Sequence, residues 1–189
     1  QRFFKVLKII LHKYYLPIIL ILLTNFSLLF GQEKNYRFNQ IKLEEGLSQS
    51  SIYCMHQDKK GYLWFGTANG LNRYDGYTFK VYSNDPLDTT TISDNSILSI
   101  DEDANGIIWI GTSDGILNRY DRKTGIFKRI NITSGVKALS TPEKFNFDFP
   151  LPYSRYNDRS ITAIAVGNDN LLWIGTWGLG LFKYERTSG

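Results

Sequence analysis

The fold is decided by a stretch that the chain repeats. Its first copy, residues 50–82, reads SSIYCMHQDKKGYLWFGTANGLNRYDGYTFKVY. The second copy, residues 95–130, reads NSILSIDEDANGIIWIGTSDGILNRYDRKTGIFKRI, and the third, residues 159–189, reads RSITAIAVGNDNLLWIGTWGLGLFKYERTSG. In each copy an isoleucine precedes a tryptophan by twelve positions, as Ile52 precedes Trp64. Three windows that agree in spacing and in residue type indicate an internal repeat.

Each copy is expected to form four short antiparallel strands. In the first copy, a turn at residues 58–61 separates an alternating run from the aromatic run Leu63–Phe65. Asp75 and Gly76 then form a two-residue hairpin signal. Four strands per unit of about 45 residues predict an all-β fold, the β-propeller. Two blades are complete, and a third stops before its last strand, which gives about two and three-quarter blades.

The repeat divides the chain into six predicted segments. They are a signal peptide (1–31), a strand that closes a later blade (32–45), the first repeat (46–90), the second repeat (91–130), an aromatic and proline-containing insertion (131–157) and the truncated third repeat (158–189).

The first 31 residues have the three parts of a secretory signal. A basic stretch precedes the apolar run from Leu16 to Phe30, and Gly31 offers a small residue before a cleavage point. The run is shorter than the roughly 20 residues of a spanning helix. Export to the periplasm is therefore expected, with a retained signal anchor as the alternative.

The net charge of +4 belongs to this leader. The leader contains four basic residues and no acidic residue, and the remaining 18 basic residues balance the 18 acidic residues of the chain. A neutral mature part predicts no nucleic-acid partner for this segment.

Several residues recur at equivalent positions and are interpreted as scaffold. The tryptophans are expected to be large buried anchors, and Cys54, Ser99 and Ala163 mark a position that needs a small side chain near a central channel. The predicted structural residues are Asp58, Gly61, Trp64, Gly66, Thr67, Asp103, Gly106, Trp109, Gly111, Thr112, Trp173, Gly175 and Thr176.

The pattern D-x-x-G-x-x-W-x-G-T-x-x-G-L-x-R-Y-D, which spans Asp58 to Asp75, resembles the two-component regulator propeller repeat. The resemblance implies a longer, membrane-bound protein in which paired propellers precede a downstream membrane helix and a histidine kinase. It also implies a periplasmic sensor that recognises oligosaccharides and forms a homodimer. The third copy departs from the pattern, because Gly167 stands where the others have aspartate.

The sequence nominates no catalytic residue, no metal site and no cofactor. His12 lies in the leader and His56 at the end of a strand, and no Cys, His and carboxylate cluster has metal-ligand spacing. A glycosidase-like propeller is a further alternative, although it would need two separated carboxylates that the repeated turns do not supply. A secreted structural or protein-interaction propeller without signalling output is the other alternative.

Ligand contacts are expected from features that do not repeat. The insertion carries aromatic residues and an arginine, which suit stacking against a sugar ring and hydrogen bonding to it; packing onto the propeller or contact with a second protein would use them equally well. Trp177 is peculiar to the third repeat. The candidate ligand-binding residues are Phe147, Phe149, Tyr153, Arg155 and Trp177.

Overall fold

The computed structural model describes residues 3–5, 8, 11–16, 36–134, 157–167 and 171–185. The chain divides into two compact units, residues 1–40 and residues 41–189. In the first unit, Leu11–Tyr15 forms a single π-helical turn, and residues 36–40 are irregular and exposed. Among all the residues that the structure describes, no helix has the length and apolar character needed to cross a membrane.

The second unit is built from three antiparallel sheets. It begins with a 3-10 turn at Leu43–Glu45. The first sheet contains β1 (Ile52–Gln57), β2 (Leu63–Thr67), β3 (Gly70–Tyr74) and β4 (Phe79–Tyr82). The second contains β5 (Ile97–Glu102), β6 (Ile108–Thr112), β7 (Ile116–Asp121) and β8 (Ile126–Asn131). The third contains β9 (Ile161–Val166), β10 (Leu171–Thr176) and β11 (Leu181–Glu185).

Each sheet pairs its strands in sequence order, as a propeller blade does. The predicted all-β fold and the incomplete third blade are therefore confirmed. The predicted strand within residues 32–45 would pair with a blade outside this sequence. Residues 36–42 have irregular backbone, and that assignment stays a prediction.

The first strands of successive blades lie side by side, with β1 next to β5 and β5 next to β9. Small residues make this approach possible. Cys54 lies opposite Gly66, and a Cβ on Gly66 would lie 2.4 Å from the Cys54 Sγ and 2.9 Å from the backbone oxygen of Ile97 in the next blade. The same arrangement recurs one blade on, where the Ser99 hydroxyl donates to the backbone oxygen of Ile161 at 3.1 Å. The repeated small position is thus explained by contact between blades.

Aspartate turns hold the repeated tryptophans in the first two blades. Oδ1 of Asp58 accepts two backbone N–H groups of its own turn at 2.9 and 3.0 Å, and Oδ2 accepts the indole N–H of Trp64 at 2.7 Å. Asp103 makes the same three bonds, including one of 3.0 Å from the indole of Trp109. Both carboxylates are buried, so they serve the turn and the core.

Apolar side chains from facing blades form two core clusters. The first cluster lies between blades one and two and comprises Trp64, Leu71, Ile92, Ile97, Ile108, Ile110, Tyr120 and Phe127. The second lies between blades two and three and comprises Ile107, Trp109, Leu117, Ile161, Leu172 and Ile174. Burial between blades accounts for the apolar residues at alternate strand positions.

The three repeated tryptophans differ in exposure within the described part of the chain. Trp64 and Trp109 are 0% and 2% exposed, and each lies against a tyrosine ring of the following blade, with centroids 5.7 and 6.1 Å apart. Trp173 is 40% exposed. Gly167 supplies no carboxylate for its indole, and no further blade covers it within the described part of the chain.

Candidate functional site at the mouth of the channel

The antiparallel order brings several connections to one end of the blades. We call this end the mouth; it is the end at which β1, β5 and β9 begin. The β2–β3, β6–β7 and β10–β11 connections lie there for the same reason, since the second strand of each blade runs back toward it. The 131–157 insertion leaves β8 and returns to β9 at this end as well.

Trp177 lies in the β10–β11 connection, where its backbone repeats a bond found one blade earlier. Its N–H donates to the backbone oxygen of Ser160 at 2.9 Å, as the N–H of Ser113 donates to Ser96 at 3.1 Å. The two side chains differ sharply. Ser113 is 9% exposed and donates its hydroxyl to Asp94 at 2.6 Å, whereas Trp177 is 54% exposed. The second blade therefore forms the same backbone hydrogen bond in this loop without a tryptophan.

An open pocket of about 330 Å³ lies beside Trp177. Tyr53, Leu98 and Thr162 line it, and each is the second residue of the first strand of its blade. Ile52 completes the lining. The pocket is therefore built by all three blades at the mouth. Its lining is mostly apolar, with hydroxyl groups from Tyr53 and Thr162.

Tyr53 is a candidate that sequence reasoning missed. It is 41% exposed and shares the pocket with Trp177. The signal was present in the repeat, because Tyr53, Leu98 and Thr162 are equivalent and only the first is aromatic. Nothing in the sequence indicates that Tyr53 lies near Trp177, because the two residues are more than a hundred positions apart.

The other four predicted ligand residues, Phe147, Phe149, Tyr153 and Arg155, lie outside the described residues. Their assignment stays a prediction.

A larger cavity of about 650 Å³ lies in the outer cleft between the second and third blades. Trp109 and Tyr184 line it, together with several charged groups. In the equivalent cleft between the first two blades, Phe127 of β8 packs against Tyr82, with ring centroids 5.6 Å apart. The third sheet has no counterpart of β8 among its three strands.

The carboxylates of the two repeated turns and His56 lie against partners within the blades. Asp58 and Asp103 are engaged by their own turns, and His56 lies at the far end of β1, with Nδ1 3.8 Å from Asp101 Oδ1. Within the described ranges, no group of three or more His, Cys, Asp or Glu side chains converges on a metal-sized space.

Comparison with known proteins finds sequences and structures that are similar to the repeat. The family model described as two-component regulator propeller matches residues 46–69, 91–114 and 155–178. A 63-residue stretch is 51% identical to a protein named histidine kinase P4 from Formosa agariphila and covers 33% of this chain and 5% of that protein.

Two solved structures from Bacteroides thetaiotaomicron are similar in fold. One is the extracellular domain of a hybrid two-component system, with a TM-score of 0.50, 30% identity, and coverage of 71% of this chain and 16% of that one. The other is the extracellular domain of a one-component system, with a TM-score of 0.55, 29% identity, and coverage of 81% and 20%. This chain thus spans a fifth or less of each of these relatives.

Proposed function

We propose that this chain, which carries three two-component regulator propeller repeats, belongs to the extracytoplasmic sensor region of a two-component signalling protein and contributes to binding an oligosaccharide. Two comparisons support the class of protein: the relatives of similar fold are extracellular domains of signalling systems, and the curated relative is named a histidine kinase.

One observation carries the proposal of a ligand site: the tryptophan on the β10–β11 loop. The backbone bond that shapes this loop is made equally well by Ser113 in the second blade. Trp177 therefore places a large aromatic side chain beside the pocket, on a loop whose backbone a serine forms equally well. Burying an apolar residue on binding is favourable, by about 25 cal/mol for each Å² removed from water, so an exposed tryptophan at a pocket is suited to a ligand.

An oligosaccharide is the ligand class we propose because sugar rings offer an apolar face to an aromatic ring and hydroxyls to polar neighbours. In the proposed mechanism the protein is a homodimer in the periplasm, anchored by a membrane helix downstream of this segment. Ligand binding changes the arrangement of the paired sensor regions, and a kinase domain reads that change. Coupling of this kind requires the ligand to bind the two arrangements with different affinity.

The proposal is tested by phosphorylation of the full-length protein in membrane vesicles, with and without gluco-, galacto- and mannotetraose on the sensor side. We expect one of these sugars to change phosphate incorporation at least severalfold, and we expect Trp177→Ala to abolish the response. Leu179→Ala is the matched control, because Leu179 lies on the same loop, is 39% exposed and does not line the pocket.

Two results would contradict the proposal. Absence of any phosphorylation would favour a secreted propeller without signalling output. A sugar response that survives Trp177→Ala unchanged would place the ligand elsewhere.

A further inference from the structure

Two aromatic side chains from different blades line the pocket at the mouth. Tyr53 comes from the first blade and Trp177 from the third, and about half of each side chain is exposed. The hydroxyl of Tyr53 takes part in none of the hydrogen bonds made among the residues that the structure describes. A tyrosine in this position offers a ligand an apolar ring and an unused donor and acceptor.

Among the described residues, the lining of the pocket carries no charge. Its residues are aliphatic, aromatic or hydroxyl-bearing, and Thr162 supplies the second hydroxyl group. A charged sugar substituent would have to leave water for a site without a counter-charge, which is costly.

Carboxylates border the mouth outside the pocket. Oδ2 of Asp94 accepts the hydroxyl of Ser113 at 2.6 Å, and Oδ1 of Asp114 accepts the hydroxyl of Thr112 at 2.6 Å. Asp158 lies next to the Trp177 loop, since a Cβ on Gly178 would be 2.9 Å from its Oδ1. Arg159 lies at the same end, beside Gly115. Among these four side chains the carboxylates outnumber the cation, which disfavours anions approaching the pocket.

We infer that the mouth pocket binds an uncharged sugar ring, with Trp177 stacking on the ring and the Tyr53 hydroxyl hydrogen-bonding to it. This inference rests on the proposed function and adds the class of sugar and a second contact residue. Tyr53 acts as a specificity residue, because its hydroxyl increases the affinity for ligands that place a sugar hydroxyl within hydrogen-bonding distance of it. Ligands in which a carboxylate replaces the sugar's primary hydroxyl are disfavoured.

The test compares matched ligands by titration calorimetry on the full-length protein in detergent. Gluco-, galacto- and mannotetraose are each titrated in neutral form and after oxidation of C6 to the carboxylate. We expect a neutral sugar to bind at least about tenfold more tightly than its oxidised form. Tyr53→Phe should weaken that binding by about three- to tenfold, the range for one neutral hydrogen bond, with an unchanged melting temperature.

The outcomes separate the two proposals. Equal or tighter binding of the oxidised sugars, or full affinity in Tyr53→Phe, overturns the inference and leaves the proposed function standing. Failure of every sugar to bind in both forms overturns the proposed function and the inference with it.

Discussion

Arg122 of the second blade reaches across to the first, where its Nη1 lies 3.2 Å from Oδ2 of Asp58. The other terminal nitrogen of the guanidinium contacts the Glu102 carboxylate. The three side chains are only 9%, 0% and 3% exposed. Asp58 therefore closes its own turn, accepts a hydrogen bond from the Trp64 indole and forms an ion pair with Arg122 of the next blade. A single aspartate links the repeat's turn to the contact between blades.

Removing the Asp58 carboxylate should be costly. In Asp58→Ala, the buried Arg122 guanidinium loses one of its two carboxylate partners. The indole N–H of Trp64 loses its acceptor as well. Breaking a buried charge pair typically costs about 3–5 kcal/mol, and we expect a loss of that size in the free energy of unfolding. Urea unfolding, followed by fluorescence of the buried tryptophans, measures it.

Asp75→Ala is the matched control for this variant, because Asp75 also closes a turn but lies on the surface. We expect a much smaller loss from it at neutral pH, because no buried charge loses its partner. A similar loss of stability in both variants would show that turn closure, and not the contact between blades, dominates.

The close approach of neighbouring first strands predicts a graded effect of alanine at equivalent glycines. A Cβ on Gly111 would lie 2.3 Å from the Ser99 hydroxyl and 2.4 Å from Cγ2 of Ile161. Among the described residues, a Cβ on Gly175 would meet Ala163 alone, at 3.3 Å. In a protein made of this segment, we expect Gly111→Ala to cost about 1–3 kcal/mol or more through overpacking and Gly175→Ala much less. Comparison of their melting temperatures tests this, and equal shifts would contradict it.

Cys54 should be a poorly reactive thiol in the folded protein. Burial, only partly offset by a backbone hydrogen bond from Gly66, raises the pKa of Cys54 to about 12. Alkylation requires the thiolate, so the rate with iodoacetamide at pH 8 should be at least about a hundredfold lower than in urea. Since Cys54 is the single cysteine of the chain, mass spectrometry of this segment reads the reaction directly. Equal rates in the two conditions would show that β1 is open to solvent.

The Asp75 turn should titrate at unusually low pH. Backbone N–H groups of Thr78 and Tyr77 and the Thr78 hydroxyl donate to its carboxylate and lower the pKa of Asp75. Because the folded pKa is lowered, the turn's stabilisation is complete above the ordinary aspartate pKa and is lost as pH falls through the folded value. An NMR titration of the Asp75 carboxyl carbon should give a midpoint below that of aspartate in an unstructured peptide, and a midpoint at the ordinary value would contradict it.

The repeat made the fold predictable, whereas the pocket depended on three-dimensional placement. The twelve-residue spacing from Ile52 to Trp64 recurs in the other two copies. Together with the alternating side chains and the turn residues, it predicts four-stranded units. Trp177 was identifiable because it breaks the repeat. Tyr53 was not, because its importance comes from lying near a loop two blades away. Trp173 differs in exposure from the other two tryptophans because no blade follows it within the described part of the chain.

Calorimetric titration of neutral tetrasaccharides into the full-length protein and its Trp177→Ala variant tests the ligand site most directly. We predict that at least one neutral sugar binds the unaltered protein and that its dissociation constant rises at least about tenfold in Trp177→Ala, a change of about 1.4 kcal/mol. Leu179→Ala should bind as the unaltered protein does. Equal affinity in all three proteins would contradict a ligand site at the mouth of the channel.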